Sequence, residues 1–172
     1  MSPLDTSSDF VAQLQAHKGI LYKIANAYCP CREDRGDLVQ DMIVELWQAF
    51  PHFDGRASFA TWMHRVAMNV AISFHRSEGR RIRDALPIED FGLDFQDADA
   101  VIDAEDDDLR ALQQLIQRLE PIERALVLLY LEGYGHDEIG EMVGISASNV
   151  GTRINRIKNR WQREHAQPGA RT

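Results

Sequence analysis

The segment from Asp137 to Trp161 carries the residue types best suited to recognising another molecule. Val150, Ile154, Ile157 and Trp161 recur at intervals of four, three and four, so they share one face of a helix. The opposite face presents Ser148, Asn149, Thr152, Arg153, Asn155 and Arg156. Arginine offers a guanidinium fork to guanine, and asparagine a matched donor and acceptor to adenine. Arg153, Arg156, Lys158, Arg160 and Arg163 face a single carboxylate, Glu164, along this stretch. Just upstream, Ile139, Met142 and Val143 line the inner side of a short helix, Gly144 supplies a sharp turn, and Ile145 and Val150 plug the angle. That layout is a helix-turn-helix, whose second helix enters the major groove.

A second group lies near the other end. Phe53, Asp54, Gly55 and Arg56 form a loop ahead of Ser58, a good helix cap, and the helix that follows starts with Phe59 and Trp62. It runs out toward Arg76, Arg80, Arg81 and Arg83. Aromatic rings beside cations suit unstacked single-stranded bases, although aromatics at helical spacing also simply build a core. Both readings stay open on pattern alone.

Other reactive side chains form no constellation. Cys29 and Cys31 flank Pro30, but two thiols do not complete a zinc tetrahedron, and cysteines this close rarely bridge. His17, His52, His64, His75, His136 and His165 show no metal-ligand spacing, and no phosphate loop or nucleophile elbow is present. No enzyme, cofactor or metal is expected.

The elements that must position these residues are all helical in period. Phe10, Leu14, Leu21, Ile24 and Tyr28 define a first helix over 9–28, opened by Asp9. Leu38, Met42, Leu46, Trp47 and Phe50 define a second, from Gly36 to Pro51. The third runs from Ser58 to Gly79. Leu109, Leu112, Leu115, Ile116 and Leu119 form another apolar stripe, Pro121 starts a helix reaching Leu129, and two short helices split by Gly144 follow. No stretch alternates as a strand does.

The chain of 172 residues has 27 acidic against 19 basic groups, a net charge of −8 that argues against a uniformly basic nucleic-acid binder. The excess is local. Residues 82–108 carry 11 acidic groups and 1 basic, whereas 1–81 and 109–172 are balanced or slightly basic. A run such as Asp103, Glu105, Asp106, Asp107 and Asp108 has too little apolar surface to fold alone. The expected architecture is all-α: a helical domain over 1–81, an acidic flexible linker over 82–108, and a helix-turn-helix domain over 109–172. No apolar run approaches the roughly 18 residues of a membrane span, and residues 1–20 lack a leader pattern, so a cytoplasmic chain without membrane insertion is expected.

Taken together, the two blocks resemble extracytoplasmic-function (ECF) sigma factors of the bacterial sigma-70 family. Asp37-Leu38-Val39-Gln40-Asp41, Leu46-Trp47, Phe53-Asp54-Gly55, Phe59, Thr61-Trp62 and Arg65-Val66-Ala67-Met68-Asn69 resemble the promoter-melting domain in order and spacing. Leu119, Pro121, Tyr130, Glu132-Gly133, Asp137-Glu138-Ile139, Gly144-Ile145-Ser146 and Val150 resemble the C-terminal domain.

The resemblance implies a subunit that joins core RNA polymerase, selects promoter DNA and is held off by an anti-sigma factor. It puts polymerase binding on Asp37, Gln40, Asp41, Glu45 and Trp47, and minus-ten recognition on Phe53, Asp54, Gly55, Arg56, Ser58, Asn69, Ser73, Arg76, Arg80 and Arg81. Minus-35 reading falls to Ser148, Asn149, Thr152, Arg153, Asn155 and Arg156. A helix-turn-helix regulator that never joins polymerase is the alternative; it has no need of the melting domain. Three positions depart from the family. Gly151 stands where many relatives carry a basic residue, Gly135 replaces a Ser or Thr cap, and Ser73 replaces a larger amide.

Overall fold

The computed structural model describes residues 3–74 and 107–166. Among these the chain is helical throughout, without a strand. In order the helices are α1 (Pro3–Tyr28), α2 (Arg32–Ala49), a 3-10 turn (Phe50–His52), α3 (Phe59–Phe74), α4 (Asp107–Gln117), α5 (Pro121–Leu131), α6 (His136–Val143) and α7 (Ala147–His165).

Two helix starts differ from the sequence expectation. The first helix begins at Pro3, and Asp9 lies inside it rather than capping it; proline's fixed φ suits a first turn. The second begins at Arg32, four residues ahead of Gly36, with Cys31 in an extended conformation as its cap. Its first turn is polar and so invisible to apolar periodicity, yet Glu33 and Asp34 there complement the positive end of the helix dipole. The Arg35 guanidinium reaches the Pro30 carbonyl and Asn26 Oδ1, which ties the turn to α1. Asp107 and Asp108, expected in the linker, form the first turn of α4. The third helix starts as expected, its Thr61 N–H donating to Ser58 Oγ at 3.1 Å. Its expected end at Gly79, and the rest of the linker, lie outside the described residues.

α1, α2 and α3 pack around Phe10, Leu14, Leu21, Leu38, Met42, Leu46 and Met63, all fully buried. α5, α6 and α7 pack around Leu126, Leu129, Ile139 and Val150. The two groups are not separate bodies: the same apolar cluster continues from Phe10 through Ala125 and Leu129 to Ile154.

Arg124 stands where the groups meet. It is only 8% exposed, and its guanidinium forks in two directions. Nη1 donates to the carbonyls of Ala27 at 3.1 Å and Tyr28 at 3.3 Å, at the end of α1. Nη2 donates to Gln117 at 2.8 Å and Leu119 at 2.9 Å, at the end of α4. Both sets are carbonyls that a helix end leaves without intrahelical partners and that carry its partial negative charge. The guanidinium carbon also sits 5.1 Å from the centre of the Tyr28 ring. Tyr28 itself is fully buried and donates its hydroxyl to the Pro121 carbonyl at 2.6 Å. Burial pushes that phenol far up from its ordinary range, so it stays a neutral donor.

Further along the seam, His64 is buried with Nδ1 at 2.9 Å from the Ala60 carbonyl and 3.0 Å from the Tyr134 hydroxyl. Lys23 pairs with Glu132 at 3.1 Å on the outer edge.

Arg124→Met is expected to cost about 3 kcal/mol or more in urea unfolding, because it strands buried carbonyls at two helix ends. Arg124→Lys should recover little of the loss, since an ammonium lacks the fork. A loss below about 1 kcal/mol would show that the clamp matters little.

His64 gives a pH signature. Burial lowers its pKa, outweighing the Ala60 carbonyl and the Glu132 carboxylate, which raise it. The unfolded chain therefore takes up a proton near pH 6.5 that the folded chain resists. Its contribution is complete above that pH and is lost on acidification. Denaturation at pH 7 and pH 5 should show a fall in stability that His64→Gln reduces; an equal fall in both proteins would exclude this residue as the source.

Candidate nucleic-acid interface

The helix-turn-helix is closed by three backbone devices. Gly144 ends α6 at φ 79°, a conformation in which side chains are disfavoured, and its N–H donates to the Gly140 carbonyl at 2.8 Å. Gly140 faces the turn so closely that a Cβ there would lie 2.5 Å from the Ile145 carbonyl oxygen. Ser146 caps α7, its Oγ accepting the Asn149 N–H at 3.1 Å. Ile139, Met142, Val150, Ile154 and Ile157 are buried beneath. The expected weak cap at Gly135 is compensated in part, since the Glu138 carboxylate accepts the Gly135 N–H at 2.8 Å.

On the outer face of α7, Ser148, Asn149, Thr152, Asn155 and Arg156 are exposed. Arg153 is half-buried on the flank, where its Nε donates to Asn149 Oδ1 at 3.0 Å. These two expected readers are therefore braced against each other. Lys158 lies over the Tyr130 ring at 4.2 Å and donates to its hydroxyl at 2.8 Å. Arg160 reaches Glu123 at 3.4 Å.

The glycine at 151 has a local reason. A Cβ there would approach His136 Nδ1 to 3.1 Å, so the first residue of α6 lies close against α7 at this position.

In the N-terminal group, the loop after the 3-10 turn exposes Asp54, Gly55, Arg56 and Ser58. Gly55 adopts φ 73°, and Asp54 accepts the Arg56 N–H at 3.0 Å while pairing with its guanidinium at 3.2 Å. The Phe53 ring packs on Trp62 at 5.0 Å and on Phe59 at 5.8 Å, continuing through Phe50 to Phe10. Most of these aromatics hold one another, which gives the exposed loop a stiff base. Trp47 is likewise half-buried, edge-on to Phe10 at 5.2 Å.

Asp37, Gln40 and Asp41 are half-buried and Glu45 exposed, all on α2. Asp41 and Glu45 share an open groove of about 490 Å³ with Asn69 and Ser73 of α3. Two sets of expected contacts, one for protein and one for DNA, therefore meet in one groove. Arg76, Arg80 and Arg81 lie outside the described residues.

Sequence reasoning missed Gly140, Arg124, Tyr134 and the His136 contact. Gly140 left a signal, a glycine inside a helical pattern four residues before a turn glycine. Arg124 left another, a lone cation among the apolar residues of Pro121–Leu131. Tyr134 and His136 left none.

Fold and site together define a protein that is all-helical among its described residues, with a helix-turn-helix and an exposed loop on an aromatic base. Residues 14–81 match the family model of sigma-70 region 2, and residues 109–160 match that of sigma-70 region 4. The ECF RNA polymerase sigma factor SigE of Mycolicibacterium smegmatis is 28% identical over 145 residues, covering 83% of this chain and 56% of that protein. The ECF RNA polymerase sigma-E factor of Haemophilus influenzae is 24% identical over 136 residues, covering 74% and 72%. The sigma factor RpoE of Bartonella quintana, solved in complex with the anti-sigma factor NepR, shares the fold with a TM-score of 0.68 at 20% identity over 94% of this chain. The chain belongs to the sigma-70 family, in its ECF group. It spans little more than half the length of the M. smegmatis relative.

Gly140→Val is expected to force α6 and α7 apart and lower stability by about 1–3 kcal/mol in thermal denaturation. A variant as stable as the parent would show that the turn has slack.

Proposed function

We propose that this chain is a promoter-specificity subunit of bacterial RNA polymerase acting in the cytoplasm, built from an N-terminal unit over 1–81, an acidic tether over 82–108 and a C-terminal unit over 109–172. The observation that carries this reading is the match of both sigma-70 regions, in order, on one chain. A regulator working apart from polymerase would need only the second.

In this reading Asp37, Gln40, Asp41, Glu45 and Trp47 of α2 dock on core polymerase. The loop from Phe53 to Ser58 captures a base flipped from the minus-ten element, and Asn69, Ser73, Arg76, Arg80 and Arg81 follow the separated strand. Unstacking costs a few kcal/mol per base, and a pocket for the extruded base offsets it. Melting then requires no nucleotide hydrolysis by this chain. The α7 face reads the minus-35 element as duplex, with Arg156 as the exposed fork and Arg153 held by Asn149. The partners are core RNA polymerase, promoter DNA and an anti-sigma factor; the Bartonella quintana neighbour was solved with such a factor. Among the described residues no helix is long and apolar enough to cross a membrane.

Run-off transcription with purified core polymerase and genomic DNA tests the reading. Transcripts that core alone does not start are expected, and their absence would defeat it. At a promoter found this way, Arg156→Ala should weaken duplex binding by about 1–3 kcal/mol and relax preference at one base pair. Equal affinity and preference would remove Arg156 from the reading face.

A further inference from the structure

A cavity of about 170 Å³ lies between α1, α3, α4 and α5, and none of the residues assigned to polymerase or DNA borders it. Its walls are mostly apolar, with Ile24, Met68, Ile116 and Leu128 among them. Lys23 and Glu132 also border it, and because their pair at 3.1 Å is exposed, these charges stand at its mouth. The volume is close to the roughly 150 Å³ of an apolar protein cavity that takes up benzene. A single six-membered ring fits such a space.

One wall carries a polar atom. His64 is only 6% exposed and borders the cavity. Its Nδ1 is 2.9 Å from the Ala60 carbonyl oxygen and 3.0 Å from the Tyr134 hydroxyl. A carbonyl only accepts, so Nδ1 carries the ring proton, and burial, which lowers the pKa of this group, keeps the ring neutral at neutral pH. Nε2 is then a bare lone pair. It has no hydrogen-bond partner among the described residues, yet it is not sealed by surrounding atoms, and the edge that carries it is the part of the ring left to border the cavity. A buried acceptor without a donor is costly, and a donor placed beside it removes that cost.

We propose that this cavity is a binding site for a small apolar molecule bearing one hydroxyl group, about the size of phenol, whose body packs on Ile24, Met68, Ile116 and Leu128 and whose hydroxyl donates to His64 Nε2. The site stands apart from promoter recognition and does not depend on it. Size and polarity both select the ligand. A bare hydrocarbon fills the apolar part but leaves Nε2 without a donor. A carboxylate has no proton to give Nε2 and loses its hydration among apolar walls.

The test uses the full chain in solution, with phenol as the probe and benzene as its control. At millimolar phenol, nuclear Overhauser contacts are expected from the phenol ring protons to the Leu128 and Met68 methyl groups. The His64 Nε2 nitrogen resonance should move upfield as it accepts the hydroxyl proton. Phenol should bind about three- to tenfold more tightly than benzene, the range expected of one net hydrogen bond. In His64→Phe, which keeps a ring but removes the acceptor, the two probes should bind alike. Absence of contacts to these methyl groups overturns the inference. Phenol bound with the Nε2 resonance unmoved, or no more tightly than benzene, overturns it equally. Should His64→Phe fail to fold, the contacts, the nitrogen resonance and the two affinities of the parent chain decide alone.

Discussion

The arrangement depends on one buried cation that makes no ion pair with a carboxylate among the described residues. Arg124 is held by four carbonyl oxygens, two at the end of α1 and two around the end of α4. Removing a guanidinium from water is expensive, and carbonyl dipoles compensate only if several converge. Here they converge because two helices end at the same place, pointing their negative poles at one fork. Either helix end displaced by a few ångström leaves the charge half-satisfied, so the fork holds both ends in register. Arg124 Nε is already without a hydrogen-bond partner, which leaves the site no spare donor contact to lose.

Local features were legible in the sequence because they depend on neighbours a few residues apart. The apolar spacing of α7, the Gly144 turn and the Ser58 cap all follow from helical geometry. The start of α2 was misplaced because its first turn is polar, and that of α1 because Leu4 is the one large apolar side chain between Pro3 and Asp9, too little to set a period. The seam was illegible for a different reason. Tyr28 and Pro121, or Lys23 and Glu132, are linked only by the folded chain, and nothing in their local sequence marks them as partners. The acidic block at 82–108 read as a tether between two domains, whereas one apolar cluster runs through both flanking units.

The candidate interface shows the same division. Its reading face was visible as a list of side chains, but the angle at which that list is presented is set by backbone approach at Gly140. The missing cation at 151 looked like a lost contact in the sequence; in the structure any side chain there would press on the His136 ring. Arg153, expected as an independent reader, is oriented by Asn149 and so brings that residue's identity into its own geometry.

The contact between Tyr28 and Pro121 spans 93 residues of chain. On the ribosome, α1 emerges long before Arg124 exists to cover its end. At about 5–20 residues per second, that interval lasts roughly 5–20 s. During that window the nascent N-terminal half carries the Tyr28 and His64 side of the seam with nothing yet made to cover it. Synthesis in the N-to-C direction thus orders events that equilibrium thermodynamics alone leaves unordered, with each newly made chain open first and closed second.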